Sequence, residues 1–234
     1  MSERGVFIAI EGGDGSGKAT QSEHLNKHLS SRLGERVLKT TFPRYTQDSA
    51  VYAERYLNGE YGPADSVSAD LASLAFAIDR YAGSHDIRDH LATGSDAVVI
   101  SDRYMGSNLA HQGTKISDPS ERKEFYERTL KTEYEVLGIP RPDINVVLLV
   151  PTDLAQANVD KKDARSYTLL KRDVHEADAS HLDRAKLNYE ELCLLYPDEF
   201  TPIVCIDEHG QLRTIEDIQM EIREKINQTT RLSI

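Results

Sequence analysis

Val6-Phe7-Ile8-Ala9-Ile10-Glu11-Gly12-Gly13-Asp14-Gly15-Ser16-Gly17-Lys18-Ala19-Thr20 decides how this chain is read. A short apolar run gives way to a glycine-rich turn. The turn gives way to a helical pattern with Leu25, Leu29 and Leu33 on one face. Strand, turn and helix in that order make a weak glycine pattern into a phosphate-binding loop. The glycines let the backbone curl so that successive N–H groups point inward. The helix start adds the positive end of its dipole, and Lys18 adds a mobile charge. Gly12, Gly13, Asp14, Gly15, Ser16, Gly17, Lys18, Ala19 and Thr20 are therefore the candidate site for a nucleoside triphosphate tail. The bland alternative is a glycine-rich turn carrying a surface lysine. One departure stands out. Such loops place Ser or Thr directly after the lysine, as a ligand to Mg(2+). Here that position is Ala19, and Thr20 lies about 100° further round the helix.

Outward from the loop, apolar runs recur at 6–10, 37–41, 97–101, 144–150 and 203–206, with helical patterns between them. This predicts a five-stranded parallel sheet with helices on both faces. Leu71, Leu74, Ala75 and Ile78 form one helical stripe. Tyr189, Cys193 and Tyr196 form another, and Ile215, Ile218, Ile222 and Ile226 a third. All three read as core. A chain of 234 residues without repeat or linker reads as a single domain over 1–234. The formal net charge of −11 argues against nucleic acid as a partner. No apolar run approaches a membrane span, and Ser2-Glu3-Arg4 leads straight into the first strand, so neither membrane anchoring nor a signal peptide is expected. Two cysteines give no disulfide framework. The expectation is a cytoplasmic protein.

Ligands of open parallel sheets bind beyond the carboxyl ends of the strands. Arg44 and the Asp102-Arg103 pair sit just past two such ends. A triphosphate tail needs only the loop and its lysine, so a second cationic cluster implies a second phosphate. Alternatively Arg44 and Arg103 are structural, paired with Asp48 or Asp102. Asp102 is the candidate metal-associated carboxylate, with Glu11 helping through water. The polar stretch at about 152–172, with Lys161, Lys162, Arg165, Lys171 and Arg172, reads either as a solvated loop or as a mobile lid.

Further motifs sharpen this. Thr41-Phe42-Pro43-Arg44, Phe76-Ala77-Ile78-Asp79-Arg80, Ser101-Asp102-Arg103-Tyr104, Ser107-Asn108, Gln112-Gly113 and Arg172-Asp173-Val174-His175-Glu176 follow the loop in order. Together they resemble the thymidylate kinase family across about residues 5–206. The resemblance implies a P-loop kinase fold, ATP as donor, Mg(2+) as cofactor, dTMP as acceptor, dTDP and ADP as products, and a homodimer packed through helices. It implies that Phe76 stacks on the base and Arg80 bonds its 4-carbonyl. Asp14 would meet the acceptor's 3′-hydroxyl, while Asn108 and Gln112 line its sugar and base. Phe42, Pro43, Arg44, Arg103, Ser107 and Asp173 fall on the acceptor side. Catalytic roles fall to Lys18, Asp102, Arg103 and the lid arginines Arg165 and Arg172. His111 and His175 stand where relatives carry tyrosine, which bears on sugar discrimination. From residues alone Phe76 would be core packing. A deoxynucleoside kinase, or a nucleotide-binding paralogue weakened at Ala19, is the alternative.

Overall fold

The structure, a computed structural model, describes residues 4–160 and 179–232. Five strands, β1 (Val6–Gly12), β2 (Val37–Thr41), β3 (Val98–Asp102), β4 (Ile144–Leu149) and β5 (Phe200–Val204), pair in parallel in the order β2-β3-β1-β4-β5. Alternation along β1 sends Val6, Ile8 and Ile10 to one face and Phe7, Ala9 and Glu11 to the other. The first set packs with Leu25 and Leu29 of α1 (Lys18–Leu33) and with Ile218, Ile222 and Ile226 of α8 (Ile215–Thr229). The second face is covered by α3 (Ala69–Ala92), α4 (Met105–Gly113), α5 (Pro119–Leu130) and α7 (Ala179–Leu195). With helices on both sides, the central strands are buried up to their last residues, which is why they read as continuous apolar runs.

Two expectations need correction. The fifth strand begins at Phe200, before the predicted 203, and runs through Pro202. Proline discourages a strand reading, but β5 pairs only with β4, and an edge strand tolerates the missing N–H. The stripe on α3 is not core. Leu71, Leu74 and Ile78 are 59%, 46% and 43% exposed, and Tyr81 continues the exposed row at 56%. Of that stripe only Ala75 is buried. Helical spacing reveals an apolar face but not what covers it. The inward face of α3 is instead made of small and polar residues, among them Ala72, Ser73, Asp79, Arg80 and Gly83. Ile215 is likewise exposed, whereas Tyr189 and Cys193 are buried as read.

The segment expected to begin a lid starts as helix α6 (Thr152–Asp160), with Ala155 and Val159 buried. Between β2 and α3 lies α2 (Val51–Leu57), and α5 runs on into a π-helical turn, Lys131–Val136. Among the described residues no helix is long and apolar enough to cross a membrane.

Candidate active site

The loop between β1 and α1 takes its shape from left-handed glycines. Gly15 and Gly17 have φ of 78° and 90°, a region that costs other residues strain. Gly15 is also pressed against α6. A Cβ there would lie 2.0 Å from the Ala155 carbonyl oxygen, and Asn158 Nδ2 donates to the Gly15 carbonyl at 3.0 Å. Lys18 Nζ donates to the Gly13 carbonyl at 2.6 Å, folding the side chain back over the loop. The Ser16 hydroxyl is buried with no hydrogen-bond partner among the described residues. Ala19 lines the cleft without an oxygen to offer. Thr20 is exposed and lines no described hollow.

Backbone bonds align the neighbouring strand ends. Phe42 N–H donates to the Asp102 carbonyl at 3.1 Å, and Arg103 N–H donates to the Ile10 carbonyl at 3.0 Å. Arg103 itself has φ 66°, a left-handed backbone costing about 1–3 kcal/mol in a non-glycine residue and common at ligand clamps. Its guanidinium pairs with Asp14 and reaches Ser107 Oγ at 3.4 Å. Burial works to lower the Arg103 pKa, but Asp14, Tyr189 and Asp102 outweigh it and the net shift is upward, so its charge is permanent.

Two hollows open side by side. The first, of about 520 Å³, is lined by the predicted residues Asp14, Phe42, Pro43, Phe76, Arg80, Arg103, Ser107, Asn108, His111 and Gln112. The second, of about 600 Å³, is lined by Gly15, Gly17, Lys18, Ala19 and Asp102. Phe42, Pro43, Tyr45 and Arg103 belong to both.

Within the first hollow the polar groups are fixed by partners. Arg80 is buried and forms a bidentate pair with Glu133, Nε to Oε2 and Nη2 to Oε1, both at 2.6 Å. Burial pulls the Arg80 pKa down, yet Glu133 more than compensates and the net shift is upward. Asn108 Nδ2 donates to Glu133 Oε1 at 3.0 Å and to the Ser73 carbonyl at 3.3 Å. Its Oδ1 is buried without a partner among the described residues. Phe76 meets Tyr56 edge to face at 5.9 Å, and the Tyr56 hydroxyl donates to Gln112 Oε1 at 3.2 Å. His111 Nδ1 lies 3.1 Å from His181 Nε2, and His181 Nδ1 lies 3.2 Å from Thr114 Oγ1. Thr114 donates its proton to the His111 carbonyl, so its oxygen accepts from His181 and the tautomers along the chain follow.

Three predicted roles change. The Arg44 guanidinium lines neither hollow. Its Nε bonds Asp79 Oδ1 at 3.0 Å, Nη2 bonds Ser49 Oγ at 3.0 Å, and its backbone N–H bonds Asp79 Oδ2 at 2.6 Å. Gly83 permits this, since a Cβ there would sit 2.8 Å from the Phe42 ring. The partner is Asp79, not the Asp48 or Asp102 that sequence proximity suggested. Glu11 does not face the donor-side hollow. Its Oε1 accepts from Tyr104 N–H at 2.9 Å and its Oε2 from Ser107 Oγ at 2.6 Å, so it anchors the start of α4. Burial pushes its pKa up. Thr20 is turned away. Arg165, Arg172, Asp173 and His175 lie outside the described residues, as do Lys161, Lys162 and Lys171.

Sequence reasoning missed Tyr45, Tyr56, Glu133 and His181. Tyr45 follows Phe42-Pro43-Arg44 directly, so the motif could have been extended by one residue. Glu133 left a fainter mark. It extends the row Tyr126, Thr129, Leu130 at helical spacing. An acid on a buried face signals a buried cationic partner.

Comparison with known proteins agrees in one direction. A family model described as thymidylate kinase matches residues 10–203. The thymidylate kinase of Mycobacterium tuberculosis is 35% identical over 192 residues, covering 80% of this chain and 85% of that protein. A putative thymidylate kinase of Aeropyrum pernix is 29% identical over 222 residues, covering 94% and 95%. Among solved structures, thymidylate kinase from Candida albicans superposes with a TM-score of 0.70 at 20% identity, covering 97% of this chain and 93% of that one. The enzyme from Ehrlichia chaffeensis gives 0.65 at 21% identity, covering 95% and 99%.

Proposed function

The chain belongs to the thymidylate kinase family, and on that premise we propose that it moves the γ-phosphoryl group of ATP onto dTMP, giving dTDP and ADP. The observation that carries this reading is the wall common to the two hollows. A donor tail held by Gly15, Gly17 and Lys18 meets an acceptor phosphate across Arg103 and Tyr45. The acceptor oxygen is already anionic, so the reaction needs position and charge rather than a general base.

The base end has matching chemistry. Phe76 offers a face for stacking. Arg80 keeps Nη1 out of the Glu133 pair, as a donor for the 4-carbonyl, and Asn108 Oδ1 is an acceptor for N3–H. Asp14, His111 and Gln112 are left for the sugar. A deoxynucleoside kinase would bring no phosphate to Arg103, which disfavours that alternative. Ala19 is what recommends a weakened paralogue, and the retained Lys18, Asp102 and Arg103 weigh against it.

Asp102 is the only carboxylate lining the donor-side hollow among the described residues. One carboxylate with phosphate oxygens and water is the donor set that Mg(2+) accepts. Bound with ATP, the ion neutralises charge on the phosphates. The lid at about 152–172 supplies the remaining cations, Arg165 and Arg172. The exposed row Leu71, Leu74, Ile78 and Tyr81 has the spacing of a helix–helix seam, which supports a homodimer built through α3. The nucleotide substrates and the two free, buried thiols suit the cytoplasm.

Release of ADP from Mg-ATP, measured with dTMP, dUMP, UMP, dCMP, AMP and thymidine in turn, tests the reading. ADP is expected to appear fastest with dTMP. No release with dTMP, or faster release with thymidine, overturns it.

A further inference from the structure

We propose that Glu133, a residue outside the base pocket's lining, sets which hydrogen-bonding edge the pocket reads, and so acts as a positioning residue for pyrimidine choice. The proposal rests on the acceptor reading given above.

Glu133 sits in the π-helical turn Lys131–Val136, where Leu137 N–H reaches back to the Thr132 carbonyl at 2.9 Å. Such turns are frequent at functional sites. Its side chain is 1% exposed, so every bond it makes is sheltered from water. Oε2 takes Arg80 Nε, while Oε1 takes both Arg80 Nη2 and Asn108 Nδ2. A carboxylate paired with a guanidinium can only accept. Asn108 is therefore obliged to turn its NH2 toward Glu133, where the Ser73 carbonyl takes the second proton. The flipped amide would set Oδ1 against two oxygens. The amide oxygen is thereby committed to the pocket side, buried and without a partner among the described residues. Arg80 is committed in the same way, with two donors spent on Glu133 and Nη1 remaining.

One buried acid thus fixes a donor and an acceptor at once. A base with a carbonyl beside a ring N–H meets both. A base with an amino group beside a bare ring nitrogen meets neither, and leaves buried groups unpaired on each side. Sites built this way reject the mismatched analogue by about 10⁴-fold. A guanidinium can only donate, and Glu133 fixes where Arg80 does so; Asn108 does not have its polarity by itself, since an amide can present either end.

The experiment compares kcat/KM for dTMP and dCMP, at saturating Mg-ATP, in the wild type, Glu133→Gln and Glu133→Asp. Gln has one acceptor oxygen in place of two; with that oxygen on Arg80 Nε, its NH2 group replaces Oε1 and faces Asn108, which frees the Asn108 amide to turn over. The dTMP:dCMP ratio is expected to narrow at least tenfold in Glu133→Gln, through a higher KM for dTMP, with the KM for ATP unchanged. Glu133→Asp keeps the charge that Arg80 needs but is one methylene too short to hold both partners, so a smaller narrowing is expected. If Glu133→Gln does not fold, Glu133→Asp carries the test. A proportional loss with both substrates and an unchanged ratio means that Glu133 merely supports the fold, and overturns the proposal. A wild type that ignores dTMP overturns the acceptor reading itself, a different result from a wild type that prefers dTMP while the variants keep its preference.

Discussion

In the phosphate loop the working groups are backbone N–H groups and one lysine, arranged by the torsions of Gly15 and Gly17 within seven consecutive residues. In the acceptor pocket the working groups are side chains, and each arginine near it is held by an acid far away in sequence. Arg44 meets Asp79 across 35 residues, Arg80 meets Glu133 across 53, and Arg103 meets Asp14 across 89. The two ends of one cleft are thus organised by different means. A phosphate tail asks only for a ring of N–H dipoles and a charge. A base asks for directed donors and acceptors, and long polar side chains keep direction only when something else holds them. The donor end is local and the acceptor end is assembled.

The sharpest way to break this division is to remove the cations assigned to the lid. Neutralising Arg165 and Arg172 together is expected to lower kcat by about 10³-fold or more, as for other cations that act on a transferring phosphoryl group. The KM for dTMP should change little, because the acceptor is held elsewhere. Steady-state kinetics of the double Arg→Ala variant decide it. A rise in the KM for dTMP matching the fall in kcat would move those arginines to the acceptor and erase the distinction.

A second measurement targets the acids. Asp79→Asn leaves Arg44 with Ser49, the Asp79 backbone and a longer approach to Asp86 at 3.7 Å. Arg44 is 19% exposed and Asp79 1%, so the pair lies between a surface bridge and a fully buried one. The expected loss is about 2–4 kcal/mol, or roughly 5–10 °C in Tm for a chain of this size. Differential scanning calorimetry reads the stability, and kinetics read the ligand. If Tm holds while the KM for dTMP rises more than tenfold, Arg44 works on the ligand, as its place in Phe42-Pro43-Arg44 suggested, and not on the wall.

The same contrast explains what could be read before the structure. The order of strands and helices, the loop and most pocket residues were legible because they are local: apolar runs, glycine spacing and short motifs at strand ends. The partners were not. Nothing near Arg44 singles out Asp79 over Asp48, which is closer in sequence, because the choice is made by the packing of α3 against the turn at residues 48–50. Glu11 reads from the sequence as a carboxylate that helps hold the metal through water. Strand alternation turns it to the face of α4 instead. The exposed stripe on α3 misled for a related reason. Leu71, Leu74 and Ile78 have the spacing of a core face, yet spacing cannot say whether the covering surface belongs to the same chain.

That stripe gives the smallest expected effect and carries the comparison one step further. Phe76 and Arg80 line the pocket from one side of α3, while Leu74 and Ile78 stand exposed on the other. If two chains pack through this row, the helix that carries the base contacts is braced from behind by a second copy. Ile78→Glu places a charge in the middle of the seam. Sedimentation equilibrium is expected to show the wild type at the mass of two chains, and the variant dissociating at roughly 30–100-fold higher concentration, as for loss of a central apolar contact. ATP affinity should not respond, because α3 lines the first hollow and not the second. The KM for dTMP is expected to rise by about two- to threefold at concentrations where the variant is monomeric. A wild type already monomeric at those concentrations removes the seam. A variant that stays dimeric moves it to another surface. A larger rise for dTMP, with ATP unmoved, would mean that the acceptor pocket depends on partners outside its own chain as well as within it, while the phosphate loop needs no second copy.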